Sequence, residues 1–303
     1  MLAVLGAVAM VAAAVVARGA LDDDDGGGGG DGDGEVVVVC DADFRATCEA
    51  LDGDIEVRVE DSAATSAALV AGTLDDIDSW VTSAAWLELT DSRTERPLGE
   101  ATVLATSTVV LASDADRAEA LSALCDGIPA WRCVGDAAEE PWSALGGDAR
   151  WGPLRVGLPD ADSAIGLSVL ASVAIGYFDG TDFAANDFVD LRGWLTTLVD
   201  ASGSGDPKLL TTLVRVRGTF SAGGLLAADT ASRDQLVALS ADPPVEAVAV
   251  MVDLPGHDAR PNPDGLRAAL VERGWDAGAG EPTVVLKPGV LAALHTLWKD
   301  ITS

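Results

Sequence analysis

The stretch Glu35 to Cys40 (EVVVVC) narrows the choice of fold more than any other in the chain. A short β-branched run bounded by Gly34 and Asp41 has no polar face, so both of its faces must be covered, as in a parallel strand flanked by helices. The segments after it alternate. Apolar residues at helical spacing from Phe44 to Leu51 predict a short helix, and Ile55 to Val59 (IEVRV) a second strand. Ser62 to Gly72 (SAATSAALVAG) reads as a helix with Ser62 as N-cap and Gly72 as C-cap. Ile77 to Trp80 is a third strand. Strand, helix, strand, helix, strand is the opening of a doubly wound α/β fold.

Further along, Ala101 to Ala112 (ATVLATSTVVLA) is β-rich, but its polar middle, Thr106, Ser107 and Thr108, interrupts what is otherwise one core strand and marks a crossover. A helix is predicted over Asp116 to Cys125, then a loop-rich region to Trp151, a strand at Leu154 to Leu158 and a turn at Pro159 to Ser163. Helices follow at Ala164 to Tyr177, Phe183 to Val199 and Pro207 to Val216. Val245 to Leu254 is a strong late strand, with helices at Asp264 to Arg273 and Lys287 to Ile301. At 303 residues the chain exceeds the usual domain of roughly 100–200, so it holds two cores or one large α/β unit. Its 49% hydrophobic residues suffice for a core without a metal scaffold.

Leu2 to Ala17 carries no charge and is closed by Arg18. The run is shorter than the roughly 20 residues that span a bilayer, which suits a signal peptide, and Ala17 and Gly19 permit a cut before Ala20. No Lys or Arg precedes the run, so retention as an anchor stays open. Residues 1–20 are thus a signal peptide or membrane anchor. Residues 21–34 are an acidic Gly-rich linker, in which Asp22 to Gly34 (DDDDGGGGGDGDG) has no side chain able to build a core. Cys40, Cys48, Cys125 and Cys133 allow three pairings. Their equal spacing and the export signal favour disulfides Cys40–Cys48 and Cys125–Cys133 over free thiols or a metal site.

The 49 acidic against 19 basic residues give a net charge of −30, which excludes nucleic acid and anionic lipid as partners, since both require clustered Lys and Arg. Membrane contact is then confined to the N-terminal segment. Catalysis has little to work with. His257 and His295 are the only histidines, and no nucleophile-elbow, zinc-protease or phosphate-loop motif occurs, so the chain is read as no enzyme and as needing no cofactor.

Five stretches, in order, resemble the type II periplasmic (extracytoplasmic) solute-binding proteins: IEVRVEDSAATSAALVAG, DIDSWVTSAAWLEL, LATSTVVLASD, LRVGLPDADSAIGLSVLA and VEAVAVMVDLPGHD. There is also a likeness to actinobacterial substrate-binding proteins often linked to a von Willebrand A domain. The resemblance implies an α/β, two-lobed type II periplasmic-binding-protein-like fold, each lobe a mixed sheet flanked by helices, preceded by an N-terminal apolar helix. Residues 35–108 plus 226–303 would form lobe 1 and residues 109–225 lobe 2.

By match to the family pattern, the ligand-binding candidates are Asp41, Asp43, Asp61 and Ser62 after the first two strands, and Ser79 and Trp80 at the third. Thr106, Ser107 and Thr108 fall at the hinge, with Asp160, Asp162 and Ser163 on the second lobe. Each Asp also reads as a helix cap, and Trp80 or Trp151 as either a stacking platform or core. If several carboxylates face the cleft, a cationic or polyhydroxylated solute is expected rather than an oxyanion. The implied function is extracytoplasmic capture of a small solute for an ABC-transporter permease or for sensing. The alternative is a membrane-tethered, ligand-free scaffold for another envelope protein. Polar groups dense in the cleft favour the first, and a cleft filled by Trp and Leu the second.

Overall fold

The computed structural model describes residues 36–303 apart from 52, 75, 96, 128, 203–208, 210–212, 214–219, 232, 256–260 and 279–285. The N-terminal segment, the linker, His257 and most of the helix expected over Pro207 to Val216 lie outside the described residues. The strands are β1 (Val36–Asp41), β2 (Ile55–Glu60), β3 (Ser79–Ser83), β4 (Ala101–Ser113), β5 (Val156–Gly157), β6 (Ala222–Leu226), β7 (Val237–Ser240) and β8 (Glu246–Asp253). The helices are α1 (Arg45–Cys48), α2 (Ser62–Ala71), α3 (Ala84–Asp91), α4 (Ala115–Leu124), α5 (Trp131–Asp136), α6 (Ala164–Phe178), α7 (Phe188–Ser202), α8 (Ala227–Ala231), α9 (Pro263–Glu272) and α10 (Pro288–Thr302). No helix among the described residues is long and apolar enough to cross a membrane.

The strands form one curled mixed sheet in the order β2-β1-β3-β8-β4-β6-β5, with β7 also on β4. β2, β1 and β3 are parallel, as the buried VVVV run requires, and β8 runs antiparallel between β3 and β4. β4 is shared by both halves of the sheet. Its first part, to Thr108, lies against β8, and from Val109 onward it runs between β6 and β7. The polar Thr106-Ser107-Thr108 stretch therefore does not interrupt the strand. A ladder is made by backbone groups, and here Thr106 pairs with Val248 on one side and exchanges two 2.9 Å hydrogen bonds with Asp276 on the other.

β6 (AGGLL), β7 and the helices α3, α5 and α8 were not expected from the sequence. Two glycines argue against a strand, yet Gly224 is needed there, because a Cβ would meet Val169 at 2.6 Å and Trp131 at 3.0 Å where α6 and α5 pack on the sheet. Trp131 itself is buried, with its indole N–H donating to Ser172 Oγ at 2.9 Å. The expected two cores are, in the described residues, one contiguous apolar cluster running from Val37 to Trp298 and a small second one around Leu209, Leu213 and Phe220.

Both disulfides form as the spacing suggested: Cys40–Cys48 ties the end of β1 to α1, and Cys125–Cys133 ties the end of α4 to α5. Closing loops this short is worth about 2–3 kcal/mol each in the chain-entropy account.

Gly166, in the first turn of α6, gives a sharp test of the packing. Gly→Ala in a helix ordinarily stabilises by about 0.5–1 kcal/mol, but here a Cβ would overlap the backbone carbonyl of Asp160. Gly166→Ala is therefore expected to destabilise by about 1–3 kcal/mol, read as a lower denaturation midpoint. A neutral or stabilising change would contradict the close approach of α6 to the 160–163 turn.

Candidate functional site

β1 ends in Asp41, whose side chain is fully buried at the carboxyl edge of the sheet. An isolated carboxylate there would be costly, so it must be paired or hydrogen-bonded. Its Oδ2 accepts from Ser62 N (2.7 Å), Ser62 Oγ (2.5 Å) and Ala164 N (3.0 Å), and its Oδ1 from Asp43 N (2.9 Å). Ser62 Oγ lies 2.6 Å from Thr82 Oγ1. Ser62 opens α2 beside β2, whereas Ala164 opens α6, which follows β5 in the other half of the sheet. One carboxylate thus takes orphan N–H groups from two helix starts, where the partial positive charge favours an anion. The neighbouring Asp43 Oδ2 accepts from Ile165 N at 2.8 Å.

Burial, and next the charge of Asp43, push Asp41 up to about 7, against the hydrogen bonds from the Ser62 side chain and the backbone N–H groups of Asp43 and Ser62, which favour the ionised form. Asp229 on α8 is pushed up to about 6, first by burial and then by Asp43, with Arg273 and Arg233 pulling the other way.

The turn before α6 is held from several sides. Asp162 Oδ1 is 2.7 Å from His295 Nε2, and its Oδ2 accepts from Lys299 Nζ at 2.7 Å. Trp298 Nε1 donates to Asp160 Oδ1 at 3.2 Å. All three partners lie on α10, at positions that share one face. Burial opposes ionisation of Asp162, but the hydrogen bonds from Lys299 and His295 outweigh it and hold the carboxyl below its ordinary range. Ser163 Oγ caps α6 by accepting from Gly166 N at 3.0 Å. From the first half of the sheet, Trp86 Nε1 donates to the Ser163 carbonyl (2.9 Å) and Ala63 N to the Asp162 carbonyl (3.0 Å). The Trp86 ring packs edge-on against His295, centroids 4.9 Å apart.

Seven of the sequence candidates, Asp41, Asp43, Asp61, Ser62, Asp160, Asp162 and Ser163, are thus gathered at the starts of α2 and α6. Asp61 occupies the N-cap position of α2, but its side chain makes no capping bond and is exposed. Ser79 and Trp80 lie in β3, away from these helix starts in the ladder: Ser79 Oγ donates to Asp253 Oδ1 at 3.2 Å, and Trp80 is wholly buried, with no partner for its indole N–H among the described residues. Thr106, Ser107 and Thr108 sit in β4 against β8, and Ser107 Oγ accepts from Ala228 N at 3.2 Å. Sequence reasoning missed Thr82, Trp86, His295, Trp298 and Lys299 as members of this network. The i, i+4 pair His295 and Lys299 was visible, but nothing in the spacing says which loop that helix face meets. Between the starts of α3 and β8, α6 and α10 lies a cavity of about 50 Å³, lined by Ala84, Ala85, Ala171, Val245, Val248 and Leu291 among others.

No protein-family profile matches the sequence, and no curated protein matches it significantly. Solved structures do match the fold. The periplasmic binding protein AfuA from Actinobacillus pleuropneumoniae, solved with exogenous fructose-6-phosphate bound, superposes with a TM-score of 0.52 at 12% identity, covering 89% of this chain and 97% of that one. An ABC transporter structure from Clostridium perfringens gives a TM-score of 0.50 at 9% identity, over 88% of this chain and 100% of that one. At such identities the likeness establishes a fold shared with periplasmic binding proteins of ABC transporters, and no more than the fold.

The raised value of Asp41 makes a signed prediction. The folded protein binds this proton more tightly than the unfolded chain, whose carboxyl titrates near 3.8. The stability it contributes is full below about pH 4 and lost as pH rises through about 7. Urea unfolding across that range should show the wild type losing stability relative to Asp41→Asn as pH rises. A difference independent of pH would contradict the burial of a titrating Asp41.

Proposed function

We propose that the chain is an extracytoplasmic solute-binding protein that captures a small molecule between two lobes, for transport through an ABC-transporter permease or for sensing, and does not act as an enzyme. The observation that carries this reading is the convergence of helix starts from both halves of the sheet on one buried carboxylate, Asp41. Donors contributed by two bodies to one point are what a closing cleft uses to grip its solute. The type II arrangement is supported by β4, which leaves the first half at Thr108, and by β8, which returns to it beside β3. The division we propose, residues 35–108 plus 226–303 as one lobe and 109–225 as the other, draws on that crossing, while β7 pairs with the second part of β4 and β6 spans the boundary at 225–226. The two disulfides suit an oxidising compartment, and residues 1–20 serve as signal peptide or anchor. With Asp41 already on the shared donors and Asp43 and Asp61 exposed beside it, the surface suits a cationic or polyhydroxylated solute better than an oxyanion.

A second reading, a ligand-free module that scaffolds another envelope protein, draws on a different observation. Trp86, Leu291, Leu294 and Trp298 are all buried where α3, α6 and α10 meet. The cavity of about 50 Å³ beside them is far below the roughly 300–1,000 Å³ of ordinary ligand sites, and the larger openings, of about 630 Å³ at the C-terminal end of α2 and about 420 Å³ between α7 and α10, are not lined by Asp41.

Thermal unfolding against polyamines, sugars, amino acids, metals and oxyanions separates the two. A solute at 100 times its dissociation constant stabilises by about 2.7 kcal/mol, so the receptor reading expects a shift of several degrees with a cation or polyol. A flat panel, repeated at high salt, would overturn it in favour of the scaffold.

A further inference from the structure

We propose that Asp41 acts as the protein's own ligand: its carboxylate joins the start of α2 to the start of α6, holds the two halves of the sheet together, and must be released before a solute can enter. This rests on the receptor reading above and names the control of its cleft.

Three features separate this contact from a helix cap. Asp41 caps the short turn Ala42–Phe44 through Asp43 N, but a cap serves only the helix that follows it in sequence, whereas Asp41 Oδ2 reaches Ser62, 21 residues away, and Ala164, 123 residues away. The residue standing at the cap position of α2, Asp61, makes no side-chain capping bond. Finally, Ser62 N, Ser62 Oγ and Ala164 N share one oxygen, Oδ2, so neither half can move away without leaving a buried group of the other unpaired. Asp43 repeats the connection to α6 through Ile165 N. The charged groups around the contact are Asp43, from the same turn, Asp61, which acts on Asp43, and Asp229, on which Asp43, Arg273 and Arg233 act. An incoming anion would meet both these carboxylates and donors already satisfied.

The test uses reporters that cross between the halves without touching Asp41: the Ala63 amide, bonded to the Asp162 carbonyl, and the Trp86 indole N–H, bonded to the Ser163 carbonyl. Their hydrogen exchange is followed by NMR in the full chain, in Asp41→Ala and in Ala164→Pro. Proline is well tolerated at the first position of a helix, so Ala164→Pro removes only the α6 side of the contact and serves if Asp41→Ala fails to fold. In both variants the two reporters are expected to exchange at least tenfold faster while amides in β1, β3 and β8 keep their protection. Added formate, a carboxylate small enough for the vacated donors, is expected to slow them again in Asp41→Ala. Wild-type exchange of both reporters in both variants would overturn the proposal, leaving Asp41 a local brace. Equal acceleration throughout β1, β3 and β8 would also overturn it, leaving Asp41 a core-stability residue. Absence of formate rescue in a folded Asp41→Ala would count against it too. The outcome is independent of the solute panel: faster reporters with a flat panel keep the latch and reject the receptor, and protected reporters with a binding solute do the reverse.

Discussion

A carboxylate removed from water and surrounded by backbone N–H groups is the constraint around which this molecule is arranged. Asp41 is fully buried, and its desolvation is offset by donors from its own turn, from Ser62 and from Ala164. Each donor belongs to a different part of the chain. β1 must therefore end beside the start of α2, and α6 must be brought in from the other half of the sheet to complete the set. Truncating the carboxyl would strand buried donors, a larger loss than a net hydrogen bond.

The surroundings hold α6 in place from its far side. α10 meets the turn before α6 through Trp298, Lys299 and His295, and the two carboxyls at the ends of this arrangement are tuned in opposite directions. Asp162, mostly buried and next to Lys299 and His295, is held below the ordinary carboxylate range by their hydrogen bonds. Asp41, buried beside Asp43, is drawn towards neutrality near physiological pH. The two parts of the sheet are bridged by Asp41, by Trp86 and by a contiguous apolar core.

Much of the frame was legible in the sequence because it rests on local signals. EVVVVC gave a buried parallel strand, Gly72 the left-handed residue that ends α2, and the C-x7-C spacing both disulfides. The failures also have physical causes. Thr106 to Thr108 looked like a break because polarity was weighed and the backbone ladder was not. β6 was hidden by its two glycines, of which Gly224 is there for the sake of a helix and a tryptophan packed on it. In the site, the carboxylates were visible as residues near helix starts, with capping kept as an alternative for each; Asp41 does cap the turn Ala42–Phe44, whereas Asp61 makes no capping bond. That Asp41 would serve two other helices was not visible, because a contact across 123 residues leaves no trace in spacing. Nor does the face of α10 announce the turn it meets.

The central claim is that Asp41 and the start of α6 form one electrostatic unit. It is tested most directly by an NMR titration that follows the Asp41 carboxyl carbon and the Ala164 amide proton in the same sample. The account predicts that both move together with a midpoint at about 7. A carboxyl titrating near its ordinary 3.8, with an Ala164 amide that does not respond, would contradict it.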